Sequence, residues 1–197
     1  MSTYYFTGSA DELIRNFDKQ FNNVSPYRRE RINSYKQPED KRLCLAATLL
    51  LERALSEFGL KESEMDYYVN DYGKPYLKNR SDIFFSLSHS GNYAMAAASD
   101  KEIGCDIQQI KNIDIKLSKR FFTVEENKYV KNIDDFFRVW TLKESFIKLK
   151  GKGLSMPLNS FCIENLDALP YTDFDGVRYI FKENKIDGYH LSVCQKL

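Results

Sequence analysis

The chain has 197 residues, of which 43% are hydrophobic, 29% charged and 14% aromatic. With 14 Phe, 13 Tyr and one Trp it has enough ring area for a sizeable core, which excludes wholesale disorder. Its 29 basic and 28 acidic side chains leave a net charge of +1, which speaks against a bulk electrostatic grip on nucleic acid and leaves a local basic patch open. The length corresponds to one or two domains. No segment reaches the roughly 20 apolar residues of a membrane helix. The longest uncharged stretch, residues 83–99, holds His89, Gly91, Asn92 and four Ser, and reads as two strands and a turn. The N-terminal run lacks a basic region followed by an apolar block, so no signal peptide is expected. Cys44, Cys105, Cys162 and Cys194 form no CxxC pair and no zinc spacing. They read as reduced, mostly buried small hydrophobes of a cytoplasmic protein.

In chain order, residues 4–6 suggest a first strand, and Leu13, Ile14, Phe17 and Phe21 predict a helix over 10–22. A basic segment, Ser25-Pro26-Tyr27-Arg28-Arg29-Glu30-Arg31, follows. Pro38 opens a long helix whose apolar face carries Leu43, Ala46, Ala47, Leu50, Leu51, Ala54, Leu55 and Phe58, with Gly59 as its stop. Between 66 and 110 the pattern becomes strand-like: a turn at 71–75, then strands over 83–88, 93–99 and 103–109. Helices return over 116–131, where Thr123 and Glu126 form a capping-box pattern. Another helix spans 134–150 and stops at Gly151. Strand-like runs near 160–165, 177–183 and 189–195 close the chain, the last two joined by an Asp187-Gly188 turn signal. Helices followed by strands thus occur twice, before and after residue 102. Two α+β halves, 1–102 and 103–197, packed as one unit with a ligand at their seam, is the natural reading.

Three places carry chemical character. In Gly104-Cys105-Asp106-Ile107-Gln108, strand alternation puts Ile103, Cys105 and Ile107 on a core face and Gly104, Asp106 and Gln108 on the other. Side chains two residues apart on a strand stand about 7 Å apart at the backbone, close enough to share one cation. The plainer alternative is a half-exposed sheet face with a polar outer row. On the helix over 134–150, Phe136, Trp140 and Ile147 form an apolar stripe at about 100° per residue, and Glu144 falls inside that sector. A carboxylate there loses hydration unless a cation or donors compensate. An i,i+4 pair with Lys148 is the plainer explanation, worth about 0.3–0.5 kcal/mol when exposed. The third place is a scatter of cations, Arg28, Arg29, Arg31, Lys41, Arg42 and Lys74, together with Ser88-His89-Ser90-Gly91 after a strand. Such groups can grip phosphate, although surface cations are usually just solvated. His190 receives no role.

Together these segments resemble the Sfp-type 4′-phosphopantetheinyl transferases, whose signature is Gly-x-Asp-x-Glu followed by Trp-x-x-Lys-Glu-x-x-x-Lys. Here they stand as Gly104-Cys105-Asp106-Ile107-Gln108 and Trp140-Thr141-Leu142-Lys143-Glu144-Ser145-Phe146-Ile147-Lys148. Gly151-Lys152-Gly153-Leu154, Arg120-Phe121-Phe122, Gly73-Lys74-Pro75, Ser86-Leu87-Ser88-His89-Ser90 and the Ser25-Pro26 segment also look like the family, so the resemblance spans residues 25–161.

The resemblance implies two similar α+β halves related by a pseudo-twofold axis in a monomer. It implies transfer of the 4′-phosphopantetheine arm of coenzyme A to a serine of an apo acyl or peptidyl carrier protein, releasing adenosine 3′,5′-bisphosphate. A magnesium ion, or manganese, would sit on Asp106, Gln108 and Glu144. Glu144 would also be the general base, and Lys148 would stabilise pyrophosphate charge. Arg28, Arg31 and His89 would hold phosphates of coenzyme A, Lys74 and Ser88 would line the nucleotide site, and Arg42 is a looser suggestion. No nucleic acid or membrane partner is implied. The carrier could serve fatty-acid, polyketide or nonribosomal peptide synthesis. One departure stands out: Gln108 replaces the family's Glu. A binding module for coenzyme A or a carrier that has lost full metal chemistry is the alternative that Gln108 favours.

Overall fold

The computed structural model describes residues 2–186 and 188–197, without the side chain of Leu154. Asp187 of the expected terminal turn lies outside the described residues. The chain opens with β1 (Thr3–Ser9). The single helix expected over 10–22 is two short ones, α1 (Ala10–Leu13) and α2 (Phe17–Asn22). The break falls at Asn16, whose side chain accepts from the Lys19 N–H at 2.9 Å and caps α2. Asn competes with its own backbone in this way and favours caps over helix interiors. The basic segment forms a helix that periodicity did not reveal, α3 (Pro26–Asn33), with Ser25 as N-cap and Pro26 in the first turn. α4 (Pro38–Ser56) follows and ends before Gly59, which takes φ 70°. A hairpin of β2 (Tyr67–Val69) and β3 (Pro75–Leu77) precedes β4 (Phe84–Ser90) and β5 (Tyr93–Ser99). The first sheet runs β1-β5-β4, antiparallel throughout.

The second sheet begins with β6 (Ile103–Gln109). Two short helices, α5 (Ser118–Phe121) and α6 (Val124–Tyr129), lead to α7 (Ile133–Lys150), whose C-cap Gly151 is left-handed at φ 64°. The expected capping box is present, with Thr123 and Glu126 each bonding the other's backbone. β7 (Tyr171–Phe174), β8 (Val177–Ile186) and β9 (Tyr189–Lys196) complete an antiparallel sheet in the order β6-β9-β8-β7. The strand expected over 160–165 is instead a loop with one bridge, Glu164 to Tyr171. Its apolar side chains, Phe161 and Ile163, are buried against α7. Their alternation is core anchoring of a loop, and β7 lies further on.

The layers run helix, sheet, sheet, helix. Along β5, Ala94, Ala96 and Ala98 face α4, whereas Met95 and Ala97 meet Cys105, Ile107, Leu191 and Val193 of the second sheet. α7 covers the far face of β6 and β9. Among the described residues no helix is long and apolar enough to cross a membrane.

Lys143 is fully buried on α7. Its ammonium pairs with Glu126 and donates to the Phe161 carbonyl at 2.7 Å. Glu126 also accepts from the N–H groups of Ile163 and Thr123, both at 2.8 Å. One buried ion pair therefore ties α6, the 161–163 loop and α7 together. Burial drives the Lys143 pKa below the ordinary lysine value despite Glu126. Removing one member of such a pair leaves an uncompensated buried charge. Lys143→Met is expected to lower stability by about 3–5 kcal/mol, and adding Glu126→Gln should recover part of it. Urea denaturation followed by Trp140 fluorescence measures both.

Candidate active site

A cleft of about 1310 Å³ opens between α3, the β2–β3 hairpin and β4 on one side and β6, α5, α7 and the loop after α7 on the other. The β6 face that alternation leaves outside the inter-sheet core is not a half-exposed row. α7 lies on it, and Asp106 is only 3% exposed. Gly104 explains the close approach. A Cβ there would overlap the Ser145 carbonyl and the Leu149 N–H, and would reach 3.0 Å from the Leu149 Cα. Glycine at this position lets a helix rest backbone to backbone on a strand.

Two residues on, Asp106 meets α7. Lys148 Nζ donates to Asp106 Oδ1 at 2.6 Å and to Ser88 Oγ at 2.7 Å, and Ser88 Oγ donates to the same Oδ1 at 2.7 Å. The ion pair of Lys148 is thus made across the fold with Asp106, not along the helix with Glu144. Burial works against the Lys148 ammonium, but Asp106, Cys105 and Glu144 together outweigh it and hold the pKa above the usual lysine value. Asp106 Oδ2 is buried without a hydrogen-bond partner, alone among the side-chain polar atoms described. Such an atom in a charged group loses several kcal/mol of hydration unless something compensates. Glu144 lines the cleft one turn before Lys148. Its carboxyl is pushed up by burial first and by the Asp106 charge second. Gln108, also on the wall, is half-buried.

Ser88 belongs to a row. Ser86, Ser88 and Ser90 share one face of β4. Ser86 Oγ accepts the Cys105 N–H at 2.9 Å and Ser90 Oγ accepts the Gln109 N–H at 3.0 Å. The outer two serines bond the edge of β6 in place of a strand ladder, and the middle one turns to Asp106.

The cations divide. Arg28 is 4% exposed, and its Nε donates to Thr48 Oγ1 at 3.0 Å. Arg31 is exposed on the cleft wall with its guanidinium 5.2 Å over the Tyr35 ring. His89 meets the same ring edge-on at 6.2 Å, and burial, then the Lys148 charge, depresses its pKa. Lys74 lines the cleft, but its Nζ donates to the Leu149 carbonyl at 2.9 Å. Arg42 stands apart from the wall, bonded to Asp11 and Asn92, both at 2.7 Å, and to Glu39. Sequence reasoning missed Tyr27 and Tyr35 as wall residues. They lie four residues either side of Arg31, so recognising α3 would have put Tyr27 on that helix face beside Arg31.

Among the described residues, no three His, Cys, Asp or Glu side chains gather as a metal-binding group. Two carboxylates with an amide beside them suit a hard cation that takes most of its ligands from phosphate and water. The partnerless oxygen of Asp106 and the raised Glu144 carboxyl both fit such an ion.

Residues 102–194 match the 4′-phosphopantetheinyl transferase superfamily, and residues 13–101 match the 4′-phosphopantetheinyl transferase N-terminal family. The 4′-phosphopantetheinyl transferase Sfp of Bacillus subtilis (strain 168) is 33% identical over 183 residues, covering 87% of this chain and 81% of that protein. The 4′-phosphopantetheinyl transferase gsp of Aneurinibacillus migulanus is 31% identical over 210 residues, 96% of this chain and 84% of that protein. The 4′-phosphopantetheinyl transferase HetI of Nostoc is 32% identical over 138 residues, 64% of this chain and 58% of that protein. The chain therefore belongs to the 4′-phosphopantetheinyl transferase superfamily and is an enzyme of that class.

A raised carboxyl pKa has a measurable sign. Folded protein holds the Glu144 proton more firmly than unfolded protein, so ionising Glu144 weakens the fold. That penalty is absent below the unfolded value of about 4.3 and complete above the folded one. Glu144→Gln is therefore expected to raise the urea midpoint of metal-free protein at neutral pH. The gain should shrink as pH falls through the folded value, and matched denaturations in a chelator at several pH values read it.

Proposed function

We propose that the cleft binds coenzyme A and transfers its 4′-phosphopantetheine arm to a serine hydroxyl of an apo acyl or peptidyl carrier protein, releasing adenosine 3′,5′-bisphosphate. The observation that carries this reading is the buried, partnerless Oδ2 of Asp106 beside a Glu144 carboxyl raised by burial and, after it, by the Asp106 charge. In this reading 1–102 and 103–197 are halves related by a pseudo-twofold axis, and the cleft at their junction is complete in a monomer. A cytoplasmic setting suits four free cysteines, three of them buried.

Arg28, Arg31, Ser88 and His89 all line the cleft; the first two and His89 would hold phosphate groups of coenzyme A, and Ser88 would line the nucleotide site. Arg42, off the wall and bonded to Asp11 and Glu39, takes no part in this reading. Asp106, Gln108 and Glu144 would hold magnesium, or manganese in its place, which neutralises pyrophosphate charge when bound. The serine oxygen attacks the phosphorus that carries the pantetheine arm, and its proton passes to Glu144, directly or through a water. The bond to the bridging oxygen breaks, and that oxygen leaves with the bisphosphate. Lys148, already charged, faces the growing negative charge. Gln108 brings an amide oxygen without charge, so metal binding is weaker than with a third carboxylate.

Incubation with coenzyme A, Mg²⁺ and an apo carrier protein should add the mass of one phosphopantetheine arm to the carrier. Binding of coenzyme A without that gain would sink the reading in favour of a binding module. Glu144→Gln is expected to lower turnover by about 10²–10⁴-fold while coenzyme A still binds in calorimetry. Gln108→Glu should lower the Mg²⁺ concentration that gives half-maximal activity, and an unchanged Mg²⁺ dependence would remove Gln108 from the metal's ligands.

A further inference from the structure

The β2–β3 hairpin wraps the end of α7. The last carbonyls of a helix have no partner within it, and here the hairpin supplies them. Lys74 Nζ donates to the Leu149 carbonyl at 2.9 Å and lies 3.4 Å from the Ile103 carbonyl at the start of β6. Asn70 Nδ2 donates to the Gly151 carbonyl at 2.9 Å. Asn70 Oδ1 in turn accepts the N–H groups of Tyr72 at 3.0 Å and Lys74 at 2.9 Å, so the same residue shapes the turn and grips the helix. The fit is close: a Cβ on Gly151 would stand 2.8 Å from Lys74 Cδ and 3.0 Å from the Tyr76 hydroxyl. The Lys74 contact falls one residue beyond Lys148, at the Leu149 that Gly104 lets approach β6, and the Asn70 contact two residues further on.

We propose that Lys74 is a positioning residue of the transfer reaction: its ammonium joins the C-terminal turn of α7 to β6 and so sets where Lys148 and Glu144 stand relative to Asp106. This rests on the reading of the cleft given above, and it differs from a nucleotide-contacting role for the Lys74 ammonium. The ammonium is spent on two carbonyls belonging to the two elements that carry the site. A cation at a helix C-terminus also meets the negative end of the helix dipole. Burial lowers the Lys74 pKa to about 8, with Glu102, Cys105 and Cys194 opposing that shift, and the Tyr76 ring lies 5.3 Å from the ammonium.

The test is Lys74→Met, which keeps the stem and removes the charge. Hydrogen exchange of the ligand-free variant should quicken by about tenfold in peptides covering 147–153, while peptides of α4 keep the parent rate. That readout needs neither substrate nor metal, so it stands even if the assigned reaction fails. In the transfer assay, kcat should fall by about tenfold with KM for coenzyme A within about twofold of the parent. Unchanged exchange over 147–153 would overturn the proposal, as would a raised KM for coenzyme A with kcat intact. If α4 also exchanges faster, Lys74→Gln replaces it in the same two measurements, and equal loosening of both helices would again overturn the proposal.

Discussion

The site depends on a contact between two backbones. α7 can lie on β6 only because position 104 has no side chain, and any Cβ there would strike the Ser145 carbonyl and Leu149. Once the helix is that low, Lys148 reaches Asp106 directly, and Ser88 completes a three-membered ring of hydrogen bonds. The serines on either side of Ser88 bond the edge of β6, so the first sheet is held beside the strand that carries Asp106. Both sheets and α7 meet at this crossing.

Electrostatics then make the cleft an unbalanced arrangement. Asp106 has one oxygen shared by Lys148 and Ser88 and another left without a partner. Glu144 stands near enough to feel that charge, in surroundings that already resist ionisation. A fold optimised for stability alone would replace these groups with apolar ones. In the proposed reading, the arrangement prepares for positive charge and phosphate, which would supply what the protein leaves unmet.

The helix motif Trp-x-x-Lys-Glu-x-x-x-Lys divides by geometry. Lys143 and Lys148 are five residues apart, about 140° around the helix at 100° per residue. Lys148 therefore faces β6 and the cleft, while Lys143 points into the core, where Glu126 and the Phe161 carbonyl hold it. Lys74 is similar: its turn lines the cleft, but its ammonium closes the end of α7. Three lysines in conspicuous motifs thus do three different things, and only their surroundings distinguish them.

Local rules made much of this legible. Proline at the start of α4, alternation along β4, β5 and β6, the Thr123 and Glu126 box and Gly151 at the end of α7 are written in short stretches of chain, and each acts over a few residues. The residue types of Asp106, Glu144 and Lys148, and their family spacing, were equally plain. α3 was hidden because its arginines leave no apolar period, and the break at Asn16 was hidden because hydrophobic spacing continues through it. The loop at 161–163 mimics a strand because it anchors in the core. The amino-acid sequence alone thus determined most of the element types, their order along the chain and the chemical groups available to the site. Only the tertiary structure decided which cations face the cleft, which oxygen of Asp106 is left free and that Arg42 is bound elsewhere. Those outcomes depend on contacts between residues tens of positions apart, which no local pattern encodes.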